Sequence, residues 1–489
     1  MQRQLPIKNA EDADAVLPRL ALRRSLGVFD VALFFIAAAS NLQWITIAAA
    51  AGPSSLTVWA IGCAAMFVPI SLVVVHLSSH YPEEGGLYVW SKRAFGPFAG
   101  FITGWTYWTS NLPYFPALLY FAAGNALFVS GGPGGALGKS PAFFIAVALA
   151  GLTIGTVLNV LGLDVGKWLN NVGAASRAVA ILALVALGTL TWLHYGSATR
   201  IDAATLRPGT DLKDVIFWSV IAFAWVGPEA VTFMAGEIKD PRRSIPVGLA
   251  IAAPAIAIIY IVGTASILAV LIPAHVDPAS GIMQSVAMAA GRFGWTALTP
   301  LVAMLVAVSC LGSVGAWLGS AARIPFVVGV DRYLPAAFGR MHPRYGSPVT
   351  ALVVQSTIAA VFIVLGQSGT TVKGAYDVLV STTVVTTLVP FVFLFAAALR
   401  LRPSDPQTRV LRIPGGRATI IVASAVGLLT TLGSIALAFV PAADEPNKPL
   451  AVAKIVGMTV VMIGSGAAVY VLAERRRRGR VLPNGRDGG

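Results

Sequence analysis

The chain has 489 residues, of which 56% are hydrophobic and only 11% are charged, and its formal net charge is +14. A soluble chain of this length carries about twice that share of charged residues, so the composition excludes an ordinary soluble protein. The two cysteines, Cys63 and Cys310, lie in apolar segments without a partner pattern, so we expect neither a disulfide framework nor a metal site.

The first segment, 1–27, is polar and lacks the apolar core of a cleaved signal peptide, so it is interpreted as a cytoplasmic tail. Apolar runs of about 20 residues follow, and that length lets a helix cross a bilayer. Lipid-exposed backbone must form its hydrogen bonds within each segment, which predicts an all-α polytopic membrane protein. The twelve predicted spans are 28–52, 55–79, 98–129, 141–163, 168–195, 213–236, 246–273, 295–328, 348–367, 376–400, 418–441 and 452–473.

Basic residues are distributed unevenly between the connecting segments. Lys and Arg number 26 in the tails and loops on the side of the N-terminus, and eight in the loops on the other side. By the positive-inside rule, this difference predicts that both termini lie in the cytoplasm. We expect the protein in the inner, cytoplasmic membrane. The basic tail 474–489 is then a juxtamembrane patch beside anionic lipid or a simple anchor, and it does not indicate nucleic acid.

Two spans lose their apolar character near the midpoint. Span 1 contains Ser40-Asn41-Leu42-Gln43, and span 6 contains Gly227-Pro228-Glu229. Unusual features at corresponding positions of two five-span units are typical of an inverted repeat whose substrate site lies at the midplane. The amides of Asn41 and Gln43 belong either to such a site or to helix–helix contacts, and the site interpretation is favoured.

The pair Pro228 and Glu229 is unusual at membrane depth. Pro228 has no N–H, and its ring crowds the carbonyl of Ala224, four residues earlier. A carboxylate at the centre of a span costs about 3 kcal/mol, so Glu229 is a functional candidate. If Pro228 begins a second half-helix, the helix dipole favours the charge of Glu229. The alternative is a structural acid bonded to a neighbouring span.

Other polar residues within the spans leave alternatives open. Arg177 in span 5 either snorkels to the interface or is a fixed cation near the broken helices. One stretch of span 3 is rich in aromatic residues, which line a cavity or belong to the interface and the packing. Its residues are Trp105, Tyr107, Trp108, Asn111, Tyr114 and Phe115.

Enzymatic function finds little support in the sequence. It contains no HExxH, no GxSxG in a strand–helix context and no P-loop. A primary pump would require a nucleotide-binding domain, and the short loops leave no room for one. We therefore expect a secondary transporter without a cofactor.

Three motifs resemble the amino acid–polyamine–organocation (APC) family of secondary transporters. They are FAWVGPEAVTFMAGEIKDPRRSIP in and after span 6, YPEEGGLYVWSKRAFGPFAGFITGW after span 2, and ARIPFVVGVDRYLPAAFGRMHPRYGSP after span 8. The resemblance covers spans 1 to 10, whereas spans 11 and 12 match only as hydrophobic helices.

The resemblance implies a leucine-transporter-type fold with repeats 28–195 and 213–400, two additional helices in 418–473, and breaks in spans 1 and 6. It implies substrate binding by Ala39, Ser40, Asn41, Leu42, Gln43, Phe223, Ala224, Trp225, Val226 and Gly227. Asn111, from the aromatic stretch of span 3, is a further candidate substrate-binding residue. Glu229 matches a carboxylate used in proton coupling, and Arg177 stands where sodium-independent members place a lysine. Span 1 departs from the family by lacking its G-x-G, which suggests that side-chain amides take part in binding here.

Taken together, the residues and the resemblance predict an amino acid transporter of the cytoplasmic membrane that works by proton symport or exchange with alternating access. A polyamine or amine transporter of the same fold is the alternative within transport. A polycation favours several carboxylates in the cavity, and the sequence offers Glu229 and Asp377 at most. A membrane sensor without transport activity is the alternative from another class.

Overall fold

The computed structural model describes residues 27–81, 85–132, 134–209, 212–230, 238–325, 333–401, 413–442 and 445–481, and the regular structure in these ranges is helical. The α-helices are α1 (Val28–Ala39), α2 (Leu42–Ala50), α3 (Ser54–Gly62), α4 (Val68–His80), α5 (Gly86–Phe95), α6 (Pro97–Thr109), α7 (Asn111–Ala126), α8 (Pro141–Val160), α9 (Leu163–Tyr195), α10 (Leu212–Ala224), α11 (Pro241–Val270), α12 (Gly281–Arg292), α13 (Leu298–Ala321), α14 (Val349–Gln367), α15 (Val372–Arg400), α16 (Gly416–Ala438) and α17 (Lys448–Val481).

Ten helical segments in the described part of the chain are long and apolar enough to cross a membrane. They correspond to predicted spans 2 to 5 and 7 to 12, which confirms an all-helical polytopic membrane protein. Predicted span 1 is divided into α1 and α2, and α10 ends at Ala224, inside predicted span 6. The interruptions therefore fall in the two spans whose polar midpoints predicted them.

The helices pack closely where small residues permit it. The most extensive contact joins α9 to α13, where a Cβ built on Gly173 would lie 2.6 Å from the Cα of Gly312. Small residues let helices approach in lipid, where dispersion and hydrogen bonding replace the hydrophobic effect. Helix α1 packs along α11, and α15 packs along α16 and against α7. These contacts surround the interrupted spans with continuous helices.

Three features go beyond the predicted spans. Helix α5 lies in the loop after span 2, and α12 lies in the loop between spans 7 and 8. Within span 2, residues Cys63–Phe67 form a π-helical turn between α3 and α4. Such turns widen a helix locally and often occur near functional sites.

Candidate functional site

The interruption of span 1 consists of two residues. Ser40 has φ −74° and ψ 74°, and Asn41 has an extended backbone with φ −96° and ψ 129°. Helix α2 then begins at Leu42. The N–H groups of the first turn of a helix have no partners within the helix, so the N-terminus of α2 carries a partial positive charge.

The interruption of span 6 follows Ala224. The backbone turns through Trp225 and Val226, whose N–H groups donate to Ala222 and Phe223, and Gly227 takes φ +147°. This left-handed region favours glycine, because a Cβ would clash there. Pro228 has no N–H and cannot donate the usual helical hydrogen bond to the Ala224 carbonyl. That carbonyl instead accepts a hydrogen bond from the Tyr260 hydroxyl at 3.2 Å.

A small cavity lies between the two interruptions. Its volume is about 60 Å³. Spans 1, 3, 6, 8 and 10 contribute its lining, which is aromatic and polar in character. The lining residues are Asn41, Trp44, Tyr107, Ser110, Asn111, Tyr114, Phe223, Ala224, Val226, Gly227, Glu229, Trp317, Thr383 and Thr387.

Glu229 supplies the one charged side chain among the described residues that line the cavity. Its side chain is 1% exposed, and its Oε2 accepts the backbone N–H of Gly227 at 2.9 Å. The Tyr107 hydroxyl of α6 donates to its Oε1 at 3.1 Å. The carboxyl group is thus held both by its own turn and by span 3.

Aromatic side chains form much of the cavity wall. The rings of Trp44 and Phe223 meet edge to face at 5.2 Å, which joins the two interrupted spans. The Tyr114 hydroxyl donates to Asn41 Oδ1 at 3.4 Å, and its ring contacts Trp317 at 6.3 Å. Such pairs are stiff and present both an electron-rich face and a positive edge.

Span 3 is divided at Ser110, beside the cavity, into α6 and α7. The Asn111 side chain donates from Nδ2 to the carbonyls of Tyr107 at 3.0 Å and Trp108 at 3.2 Å. Pro113 has no N–H and therefore cannot donate the usual helical hydrogen bond to the carbonyl of Thr109. Asn111 is therefore committed to its own helix through its amide nitrogen, and its amide oxygen is the group that can accept a bond from a solute.

Span 10 contributes two threonines one turn apart, Thr383 and Thr387. The Thr383 hydroxyl donates to the Leu379 carbonyl at 2.8 Å. With its proton used there, the oxygen acts as an acceptor toward a solute in the cavity.

Arg177 lies beside the cavity without lining it. Its Nη1 donates to the carbonyl of Ser40 at 3.2 Å, and its Nη2 donates to the hydroxyl of Ser313 on α13. The guanidinium therefore fixes the C-terminal end of α1 to the scaffold formed by α9 and α13. A cation at a helix C-terminus also complements the helix dipole.

The structure separates the predicted substrate residues into two groups. Seven of the thirteen predicted residues line the cavity: Asn41, Asn111, Phe223, Ala224, Val226, Gly227 and Glu229. Five of the others do not: Ser40, Leu42, Gln43, Trp225 and Arg177. The side chain of Ala39 lies outside the described part of the chain. Ala39 is the last residue of α1, and Ser40 meets Arg177 through its carbonyl.

Three of the remaining residues turn away from the cavity. Leu42 is buried, and Gln43 is 0% exposed with neither amide atom bonded within the described residues. Trp225 is also buried, and its ring contacts Trp59 at 6.1 Å and Phe67 at 5.6 Å, on the side of span 2. The turn thus directs Trp225 and its neighbour Val226 to different sides.

Several lining residues lie outside the predicted set. They are Trp44, Tyr107, Ser110, Tyr114, Trp317, Thr383 and Thr387. Tyr107 and Tyr114 belong to the aromatic stretch for which a cavity was one interpretation. The repeated threonines of STTVVTT at 381–387 are the other available signal, because threonines four residues apart share a helix face.

Comparison with known proteins identifies the family. The family model described as amino acid permease matches residues 26–464, which covers most of the chain. The chain belongs to the amino acid permease family. This permease is therefore a membrane transporter, and the interrupted spans and their cavity are the candidate site for its solute.

Curated relatives of the permease carry transporter names. An uncharacterized transporter of Legionella pneumophila is 28% identical over 434 residues, covering 87% of this chain and 92% of that protein. A probable agmatine/putrescine antiporter of Lactococcus lactis is 26% identical over 396 residues, covering 80% of this chain and 83% of that protein. An uncharacterized transporter of Mycobacterium bovis is 28% identical over 349 residues, covering 69% of this chain and 73% of that protein.

Proposed function

We propose that this permease is a secondary active transporter of amino acids in the cytoplasmic membrane, driven by proton symport or by exchange. The observation that carries the proposal is a cavity bounded by two helix ends of opposite polarity. The N-terminus of α2 begins beside Asn41, and the C-terminus of α10 ends at Ala224, and both residues line the cavity.

These two helix ends match the two charged groups of an amino acid. The partial positive charge at the N-terminus of α2 attracts a carboxylate. The partial negative charge at the end of α10, together with Glu229, attracts an ammonium group. The small volume and the aromatic walls restrict the solute to a compact side chain that tolerates apolar contact.

Glu229 is the proposed proton-coupling residue. Its carboxyl group is buried in the cavity wall and bonded to Gly227 and Tyr107. Loss or gain of a proton there changes the charge next to the solute and the bonds that hold the turn. Arg177 stays protonated at accessible pH, so its proposed role is a fixed charge that stabilises the interruption of span 1.

Alternating access follows from the same arrangement. We assign spans 3 to 5 and 8 to 10 to a scaffold, against which the interrupted spans move with spans 2 and 7. The repeats 28–195 and 213–400, and the cytoplasmic position of both termini, belong to this proposal.

A small amine is the second candidate solute. Within the described lining, Glu229 is the only charged side chain, and five aromatic side chains line the same cavity. An ammonium group binds well against a carboxylate and the faces of aromatic rings. The relative from Lactococcus lactis, named as a probable agmatine/putrescine antiporter, is consistent with that chemistry.

Uptake by liposomes reconstituted with the purified permease separates the candidates. The panel contains neutral, acidic and basic amino acids and, for each basic one, the decarboxylated amine of the same side chain. An amino acid transporter accumulates at least one amino acid and discriminates against its decarboxylated partner. Equal or better uptake of the amine favours the second candidate, and uptake of no compound overturns both.

A further inference from the structure

A second cavity in the described residues is an apolar groove between spans 2, 7 and 11. Its volume of about 360 Å³ falls within the range of small-molecule sites. The lining is apolar apart from one serine. The groove residues are Phe67, Val68, Ser71, Leu72 and Val75 of span 2, Pro246, Leu249, Ala250 and Ala253 of span 7, and Ile413 and Pro414 before span 11.

The groove opens toward the membrane. Val68 in its wall is 42% exposed, and Ala250 is exposed as well. All three helices that border it are candidate membrane spans. The medium at this surface is therefore hydrocarbon, and a hydrocarbon chain is the solute that fills the groove without leaving polar groups unbonded.

Basic residues lie close in the chain to the lining residues at one end of the groove. Arg243 precedes Pro246 by three residues on α11, which is about one helical turn, and Arg417 lies in the first turn of α16, three residues after Pro414. Both side chains are exposed, and so is Lys239 in the preceding segment. Asp240 is the acidic neighbour, and its Oδ1 accepts the backbone N–H of Arg243 at 3.4 Å.

We propose that the groove binds one anionic phospholipid, with an acyl chain between spans 2, 7 and 11 and its phosphate beside Arg243 and Arg417. The apolar lining matches the chain, and the basic end matches the headgroup. The charge distribution of the loops assigns this end of the bundle to the cytoplasm, so the lipid comes from the inner leaflet.

The groove is also connected to the candidate site. Phe67 lines the groove, and its ring contacts the ring of Trp225 edge to face at 5.6 Å. Trp225 belongs to the interruption of span 6, and Phe67 ends the π-helical turn of span 2. Lipid bound in the groove is therefore expected to affect the position of the turn that presents Gly227 and Glu229 to the solute. This connection depends on the proposed function, whereas lipid binding does not.

Native mass spectrometry of the purified full chain tests the binding directly. The probes are phosphatidylglycerol and phosphatidylcholine with identical acyl chains, supplied together at equal concentration. We expect one phosphatidylglycerol to be retained in preference to phosphatidylcholine. Replacement of both basic residues, Arg243→Gln with Arg417→Gln, lowers that preference by about 30-fold, since each basic side chain near the surface contributes roughly fivefold.

Matched variants separate the groove from the general membrane surface. Ala253→Phe fills the groove, and retention of phosphatidylglycerol is expected to be lost, whereas Ala453→Phe on the exposed face of α17 leaves it unchanged. The exposed pair Arg340→Gln with Arg344→Gln serves as the control for the charge variant. The Arg243→Gln and Arg417→Gln variant changes no packing. It therefore tests lipid binding even if Ala253→Phe fails to fold.

Two results overturn the proposal. One is equal retention of both lipids by the unmodified permease, and the other is retention by the Arg243 and Arg417 double variant that equals the control. Uptake in vesicles with and without phosphatidylglycerol then tests the connection through Phe67. Preserved binding with unchanged uptake removes that connection and leaves the lipid site in place.

Discussion

The hydroxyl of Tyr107 donates a hydrogen bond of 3.1 Å to Oε1 of Glu229 and so joins span 3 to the interrupted span 6. The second oxygen of the same carboxyl group holds the N–H of Gly227 at 2.9 Å. The geometry of the turn in span 6 and the position of the acid therefore depend on one another.

Replacing Tyr107 with Phe removes the donor and keeps the ring. A lost hydrogen bond to a carboxyl group in a buried site lowers uptake by on the order of tenfold. Tyr120→Phe is the matched control, since the Tyr120 hydroxyl bonds the Ile363 carbonyl at 3.1 Å away from the cavity lining. Initial uptake rates in liposomes measure both, and equal rates for the two variants contradict the role given to Tyr107.

Gly227→Ala tests the left-handed turn of span 6. A Cβ at φ +147° introduces strain of about 1–3 kcal/mol, so we expect a lower melting temperature and impaired solute binding. Gly457→Ala is the control, because a Cβ there meets no atom within 4 Å on the helix α17. Thermal unfolding monitored by fluorescence compares them. A Gly227→Ala protein as stable as the control would show that the turn tolerates a side chain.

The sequence predicts the two interruptions but only part of the cavity lining. Ser40-Asn41 and Gly227-Pro228 stand out because polar and helix-breaking residues are rare in apolar spans. Trp44, Trp317 and Thr383 look like ordinary residues of membrane helices. Which face of a continuous helix meets the cavity depends on its rotation against neighbouring helices, and a single sequence does not fix that rotation.

The interruptions themselves also redirect their neighbours. Trp225 and Val226 are adjacent in the chain, yet Val226 lines the cavity while Trp225 packs against Trp59 and Phe67. Gln43 likewise points away from the cavity, although its neighbour Trp44 lines it. Helical periodicity does not apply across the turn at Trp225 and Val226, so their directions follow from the turn geometry. Gln43 and Trp44 both lie in α2, where neighbouring residues point to different sides of the helix.

Arg177→Ala is expected to destabilise the interruption of span 1. The carbonyl of Ser40 and the hydroxyl of Ser313 each lose a charged donor, at a cost of about 1–3 kcal/mol in unfolding free energy. Arg177→Lys restores the charge but not the two-pronged geometry, so partial recovery is expected. The exposed residue Arg340 provides the control as Arg340→Ala. Melting temperatures that are equal for Arg177→Ala and the control contradict this account.

Thr383→Val tests which solute groups face span 10. The Thr383 hydroxyl can accept from a solute ammonium group, and its loss is expected to weaken binding of such solutes by about tenfold. Thr382→Val is the control at the adjacent position, since the Thr382 hydroxyl bonds Val378 at 2.8 Å and faces Met458. Competition assays against a labelled substrate measure the change. Equal effects of the two substitutions would exclude a specific contact.

The central claim is that the carboxyl group of Glu229 couples solute movement to protons at the interrupted spans. Proteoliposomes carrying the unmodified permease or Glu229→Gln are compared with and without an inward proton gradient. The account predicts that the gradient drives accumulation by the unmodified protein, whereas Glu229→Gln exchanges solute across the membrane but no longer responds to the gradient. Gradient-driven accumulation by Glu229→Gln at the level of the unmodified permease would contradict it.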